Sequence, residues 1–115
     1  MARDYKTLPV FKTANDLTVD LYKATESMTY EAGEQESLRA DIRGHARRCA
    51  HAIVGACLPH RQRVDFADHM EMALSEATCL SYLVSLAFQL GHLSDVMVDR
   101  SEKLVRELSE VVNGG

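Results

Sequence analysis

The residues of this 115-residue chain that are best suited to chemistry are arginines on a predicted helix. Arg39, Arg43 and Arg47 recur every four residues and so form a ridge along one side of that helix, here called the arginine ridge. Arg61 and Arg63 follow in the next loop. Because guanidinium groups bind phosphate oxygens well, one interpretation is a contact with the backbone of RNA or another nucleic acid.

The charge of the chain leaves a second interpretation of the ridge open. The net charge is −4, but residues 38–63 hold six arginines and one aspartate, so this segment carries +5 and the remainder −9. Such a distribution suggests a specific anionic partner or charge-matched self-association. The arginines would then pair with acids of another helix or subunit. The scarcity of aromatic residues that could stack on nucleic-acid bases also favours this second interpretation. The candidate acids are Asp68, Glu71 and Glu76.

Histidine and cysteine spacing does not indicate a metal site or a catalytic pair. His45 precedes Cys49 by four residues and His60 follows Cys57 by three, but the CxxC and HxxxH pairs typical of zinc sites are absent. The Glu-x-x-His pairs of di-iron bundles are also absent, as are the nucleophile-elbow, P-loop and dinucleotide-binding motifs. We therefore expect no enzyme activity, no metal and no cofactor, and three free cysteines in a reducing compartment.

Hydrophobic periodicity predicts one all-α domain spanning residues 1–115. Helices are expected at about 8–28, 34–57, 65–90 and 94–112, with Thr7 as the first N-cap and Gly91 stopping the third helix. Short loops make sequential helices antiparallel, which predicts an up-down-up-down four-helix bundle. Neither a signal peptide nor a membrane-spanning stretch is recognisable, so we expect a cytoplasmic protein without membrane contact.

The third predicted helix carries two apolar stripes. The first alternates steps of four and three residues, as in a bundle core, and comprises Phe66, Met70, Ala73, Ala77, Leu80, Val84, Ala87 and Gly91. The second stripe lies about 120° round the helix and comprises Met72, Cys79, Leu83, Leu86 and Leu90. Since one core needs one stripe per helix, the second stripe predicts a contact with another copy of the chain.

The second predicted helix contains a strip with two glycines, here called the glycine strip: Gly44, Arg48, His51 and Gly55. A glycine inside a helix costs about 1 kcal/mol relative to alanine, so two on one strip indicate that another helix approaches closely. We predict that the strip faces away from the core and meets the second stripe of a neighbouring chain. Ordinary tolerance of glycine on a surface is the alternative.

Three stretches carry a resemblance to a known family. They are Leu-Pro-Val-Phe-Lys at 8–12, Asp-Phe at 65–66 and Leu-Ala-Phe-Gln-Leu-Gly-His-Leu at 86–93. With them the chain resembles the four-helix bundle proteins encoded in intervening sequences of bacterial 23S ribosomal RNA genes, and the related accessory proteins of diversity-generating retroelements. It departs from the usual Asn-Ile-Ala-Glu-Gly, having Ala-Ile-Val-Gly-Ala at 52–56, and it lacks the strongly basic character of the retroelement proteins.

The resemblance implies a ring of bundles, typically a homopentamer, and for some relatives a role linked to RNA or to a reverse transcriptase. Two functions are then consistent with the sequence. The first is a non-enzymatic homo-oligomeric scaffold whose working surface is the second helix and the loop after it. The second is a nucleic-acid-binding module that uses the arginine ridge with Arg61 and Arg63. The sequence leaves the ligand and any further partner unidentified.

Overall fold

The computed structural model describes residues 4–28, 34–58 and 63–114. A short 3₁₀ helix, Tyr5–Thr7, precedes four α-helices: α1 (Pro9–Ala24), α2 (Glu34–Ala56), α3 (Arg63–Gln89) and α4 (Asp95–Gly114). The described residues contain no β-strand, and the all-α class with four helices is confirmed. None of their helices combines the length and the apolar character needed to cross a lipid bilayer.

The start of α1 differs from the predicted cap. Leu8, not Thr7, occupies the N-cap position, and it makes no side-chain capping bond. The Thr7 hydroxyl instead donates to the carbonyl of Asp4 at 2.7 Å, inside the 3₁₀ turn. Pro9 at the first helical position has no N–H to satisfy and a backbone angle already suited to a helix. The helix can therefore begin without the predicted threonine cap.

The end of α1 comes four residues earlier than expected. Thr25 follows the helix, and its backbone N–H and hydroxyl both donate to the carbonyl of Leu21, at 2.9 and 2.7 Å. A turn closes when the N–H of Met28 donates to the Thr25 carbonyl at 3.2 Å. Met28 is nevertheless buried, as its place in the apolar pattern predicted.

Each helix runs antiparallel to its neighbour in sequence, and α4 returns beside α1. Contacts at two points along a seam establish these directions, because residue numbers rise along one helix as they fall along its neighbour. From Thr18 to Tyr22 of α1 the partner in α2 moves from Ala46 back to Arg43, and from His45 to Gly55 of α2 the facing residue in α3 moves from Glu76 back to His69. Thr13 meets Glu107 and Asp20 meets Arg100 between α1 and α4, and Ser81 meets Ser101 across the seam between α3 and α4. The result is an elongated up-down-up-down bundle of 48 × 22 × 19 Å.

The core is made of one stripe from each helix. From α3 the first stripe is buried from Met70 to Ala87, whereas Phe66 is half-buried and Gly91 is exposed. Small residues along this stripe let the neighbouring helices approach α3 closely. The residues buried with it are Val10, Ala14, Leu17 and Leu21 of α1, Ile42, Ala46, Cys49, Ile53 and Ala56 of α2, and Leu104 and Leu108 of α4.

The predicted stop at Gly91 is confirmed. Gly91 has φ +84°, the left-handed conformation that glycine adopts without steric cost. The N–H of His92 donates to the Ala87 carbonyl at 2.8 Å, and the N–H of Gly91 donates to the Phe88 carbonyl at 3.0 Å. This pair of bonds is the Schellman motif, and it reverses the chain into α4.

Candidate interaction surface

Arg43, at the centre of the arginine ridge, is bonded to the end of α1. Its Nε donates to the Thr25 hydroxyl and its Nη2 to the Tyr22 carbonyl, both at 2.9 Å. The guanidinium carbon also lies 4.7 Å from the centre of the Tyr22 ring. Because Tyr22 lies in the last turn of α1, where carbonyls lack helical partners, Arg43 acts as a side-chain cap for that helix.

The other described arginines of the ridge differ in their exposure. Arg47 is exposed, and its Nη1 donates to the Tyr22 hydroxyl at 3.0 Å. Arg39 is half-buried. Arg63 opens α3, but its side chain lies outside the described part, as does the whole of Arg61. The observed partners of Arg43 and Arg47 are thus neutral oxygens of α1 and not the acids of α3 that were considered.

The acid Glu76 pairs instead with two residues on the other side of α2. Arg48 Nε lies 3.2 Å from Glu76 Oε2, and His45 Nδ1 lies 2.6 Å from Glu76 Oε1. A carboxylate accepts hydrogen bonds, so Nδ1 of His45 must carry the proton that it donates. Arg48 Nη2, although 3.2 Å from the same nitrogen, is then a donor facing a donor and makes no bond there.

The cysteine next to this group is held in its neutral form. Cys49 is fully buried, and burial, with a smaller contribution from the nearby Glu76 carboxylate, raises the pKa of its thiol from 9.0 to about 12. A thiol with this pKa is a poor nucleophile at neutral pH. Cys57 is buried as well, whereas Cys79 is exposed on α3.

The glycine strip lies against α3 of its own chain, so the expectation that it faces away from the core needs correcting. A Cβ atom on Gly55 would lie 2.9 Å from Cδ2 of His69 in α3. Gly44 is buried, and a Cβ there would lie 3.0 Å from Nη1 of Arg48, which folds over it. His51 is exposed. The helix close to Gly55 is the chain's own α3, and contact of the strip with a neighbouring copy stays a prediction.

The second stripe of α3 is largely uncovered in the single chain. Met72 is 56 % and Leu90 58 % exposed, and Cys79 is also exposed. Leu83 and Leu86 are half-buried. The residues predicted to share one face therefore do so, and that face lies on the surface.

Sequence reasoning missed three features at the seam between α1 and α4. Arg100 Nη1 lies 2.7 Å from Asp20 Oδ2, and the Thr13 hydroxyl donates to Glu107 Oε1 at 2.9 Å. At the end of this seam a groove of about 640 Å³ opens. Its described lining residues come from distant parts of the chain, so no local pattern marks them. They are Leu8, Pro9, Val10, Phe66, Ala67, Met70, Glu107, Glu110, Val111, Val112 and Gly114.

Metal-binding side chains do not gather in the described part of the chain. Within residues 4–28, 34–58 and 63–114 there is no group of three or more histidine, cysteine, aspartate or glutamate side chains able to hold a metal ion. The candidate interaction surfaces are therefore the second stripe of α3 and the arginine ridge of α2.

Comparison with known proteins supports the fold and leaves the function open. No protein-family model matches the chain, and no curated protein matches it. Among solved structures it is similar to a protein of unknown function from the S23 ribosomal protein family of Bacteroides thetaiotaomicron, known from a crystal structure at 1.70 Å resolution. The TM-score is 0.76 at 16 % identity, over 90 % of this chain and 95 % of that one. The likeness agrees with the helical resemblance found in the sequence.

Proposed function

We propose that this protein is a non-enzymatic helical-bundle scaffold of the cytoplasm that associates with copies of itself through the second stripe of α3. The observation that carries the proposal is the exposure of Met72 and Leu90 on the face that also holds Cys79. A line of exposed apolar side chains along one face of a helix is typical of a surface that contacts another molecule. Each large aliphatic side chain buried there would contribute about 1.5–3 kcal/mol to association.

The spacing and the charge favour a second copy as the partner. The stripe alternates four-residue and three-residue steps over its C-terminal part, which is the spacing of helix-to-helix packing. One segment of the chain is basic and the remainder acidic, so two copies offer each other complementary charges. The family resemblance supports a closed ring, with a homopentamer as the expected stoichiometry.

The test is the mass of the assembly in solution after charges are placed on the stripe. The double variant Met72→Lys with Leu90→Lys should fall to the monomer mass by light scattering, while far-UV circular dichroism stays unchanged because both side chains are already exposed. The matched control is Val19→Lys with Val96→Lys, which changes two residues that are 43 % and 57 % exposed on α1 and α4. A monomeric wild-type protein, or a stripe variant that still assembles, would reject the proposal.

The alternative function, a nucleic-acid-binding module, is favoured by the exposure of Arg47 beside Arg39 on α2. The engagement of Arg43 with Tyr22 counts against it, because that guanidinium has already used two donors within the chain. A salt titration of binding to a structured RNA distinguishes the two functions. Steep loss of affinity with salt, reduced by about one unit of log–log slope in Arg47→Gln, supports RNA binding, and no binding at low salt removes it.

A further inference from the structure

Glu76 occupies the position at which the second stripe lacks an apolar side chain. Met72 and Cys79 are seven residues apart, and Glu76 divides that interval into steps of four and three. The same alternation continues through Leu83 to Leu90, so Glu76 lies on the same face of α3 as the stripe. A second copy seated on the stripe would therefore cover a carboxylate together with the apolar side chains.

The carboxylate of Glu76 is already paired with two side chains of its own chain, which also fix its orientation. Arg48 Nε is 3.2 Å and His45 Nδ1 is 2.6 Å from its two oxygens, and 26 % of the Glu76 side chain is exposed. Removing one partner of a desolvated ion pair is costly, but covering a pair that is already bonded costs less. A partner helix can thus pack over Glu76 without leaving it unpaired.

Arg48 points to the chemistry that a partner must bring. Its side chain is 52 % exposed. Among the described residues its salt bridge is the one from Nε to Glu76, and its Nη groups bond no other carboxylate. A second copy is acidic outside residues 38–63, so it can offer a carboxylate to this guanidinium. This charge complementarity favours one register of packing over those that leave Arg48 against apolar side chains.

We infer that the Glu76–Arg48 pair sets the register, and so the number of copies, when a second copy packs on α3. The inference rests on the proposed function and adds to it the element that makes the association specific. A single polar position in an otherwise apolar helix seam selects the registers that satisfy it, and it lowers the stability of the seam in doing so. Replacing Glu76 by an apolar residue should therefore strengthen association and relax its specificity.

The experiment compares Glu76→Leu with Glu71→Leu by native mass spectrometry over a range of protein concentrations. Glu71 is an exposed glutamate on the opposite side of α3, so its variant makes the same chemical change away from the stripe. Glu76→Leu should show more than one stoichiometry, or dissociate at a concentration about tenfold lower than the wild type. Glu71→Leu should behave as the wild type, and Glu76→Gln should keep a single stoichiometry because it keeps a polar group.

The outcomes separate this inference from the proposed function. A single unchanged stoichiometry and dissociation point in Glu76→Leu would overturn the inference, while an oligomeric wild type would leave the proposed function standing. A monomeric wild type would reject the proposed function and the inference together, because no packing of a second copy would then exist for the Glu76–Arg48 pair to set.

Discussion

The guanidinium of Arg43 stacks 4.7 Å from the centre of the Tyr22 ring while its Nη2 donates to the carbonyl of the same residue at 2.9 Å. One side chain of α2 thus holds both the side chain and the backbone of the last turn of α1. The seam between these two helices is therefore fixed at the end where the chain leaves α1, and a residue that looked like part of a binding surface stabilises the fold.

The first prediction concerns this contact. Arg43→Ala should lower the free energy of unfolding by about 2 kcal/mol, because two hydrogen bonds and a stacked cation are lost. Arg43→Lys should recover part of the loss, since an ammonium cannot reproduce the planar fork. Urea unfolding measures both. The control is Arg47→Ala, which removes one exposed bond to the Tyr22 hydroxyl and should cost less than about 1 kcal/mol. Equal losses for Arg43 and Arg47 would contradict the assignment.

The second prediction separates the two glycines of α2. Gly55→Ala should destabilise the protein, on the order of 1 kcal/mol, because the new Cβ meets the His69 ring at 2.9 Å. That ring has little freedom to move, since its Nδ1 lies 2.8 Å from the Asp65 carbonyl. Gly44→Ala meets the flexible end of Arg48 at 3.0 Å, so the gain in helix propensity should leave it as stable as the wild type or more so.

The control for the glycine pair is the His69→Ala background. Without the ring, Gly55→Ala should become neutral or stabilising, and urea unfolding of the four proteins in this cycle measures the coupling. If Gly55→Ala destabilises both backgrounds equally, the contact with His69 is not the cause.

The third prediction is a pH dependence that follows from Cys49. Its pKa is raised to about 12 in the folded protein from 9.0, so between these values the folded state binds more protons than the unfolded state. The contribution of Cys49 to stability is constant below about pH 9 and is lost as the pH rises toward 12, by at most about 1.4 kcal/mol per unit. Cys49→Ala should show a shallower decline than the wild type in unfolding measured at alkaline pH.

Cys79→Ala provides the comparison for that measurement. Its thiol is exposed, so removing it should leave the alkaline decline as steep as in the wild type. Parallel declines in the wild type and Cys49→Ala would show that the buried thiol does not cause the effect.

The fourth prediction uses Cys79 as a reporter of self-association. Cys79 is exposed in the single chain and lies on the second stripe, so iodoacetamide should modify it quickly at low protein concentration. Its rate should fall as the concentration rises and a second copy covers it, whereas the buried Cys49 and Cys57 should react slowly throughout. Mass spectrometry of the alkylated protein gives each rate. In the Met72→Lys, Leu90→Lys variant the Cys79 rate should not depend on concentration, and a concentration-independent rate in the wild type would argue against the proposed contact.

Periodicity was sufficient to predict the four helices and the buried stripe of α3, because a core-facing position must be apolar at each turn. Gly91 was predictable as well, since the left-handed residue after a helix is most often glycine. The target of Arg43 was not predictable. It depends on where α1 ends and on how far α2 is offset along it. Thr25 ends α1 before Met28 through hydrogen bonds to the Leu21 carbonyl, and the spacing of hydrophobic residues does not predict such bonds.

The glycine strip shows a different limit. Gly55 indicated that a helix passes close to α2, whereas the atoms nearest to a Cβ on Gly44 belong to Arg48 of α2 itself. Spacing within one helix carries no information about which helix approaches. His69 and Glu76 identify it as α3 of the same chain. The residues of the second stripe were likewise predictable as one face of α3. Which molecule packs on that face was not predictable, because the sequence of one chain does not identify its partner.

The chain reversal at Gly91 affects whether α4 packs in the bundle of its own molecule or in that of another copy. A residue with a side chain would pay about 1–2 kcal/mol to keep φ at +84°, and no neighbouring atom within 4 Å offers it a compensating contact. Straightening the backbone there would join α3 and α4 into one rod whose far half could complete the bundle of a different molecule. We therefore expect the tight reversal at Gly91 to favour the packing of α4 in the bundle of its own molecule over an exchange of that helix between copies.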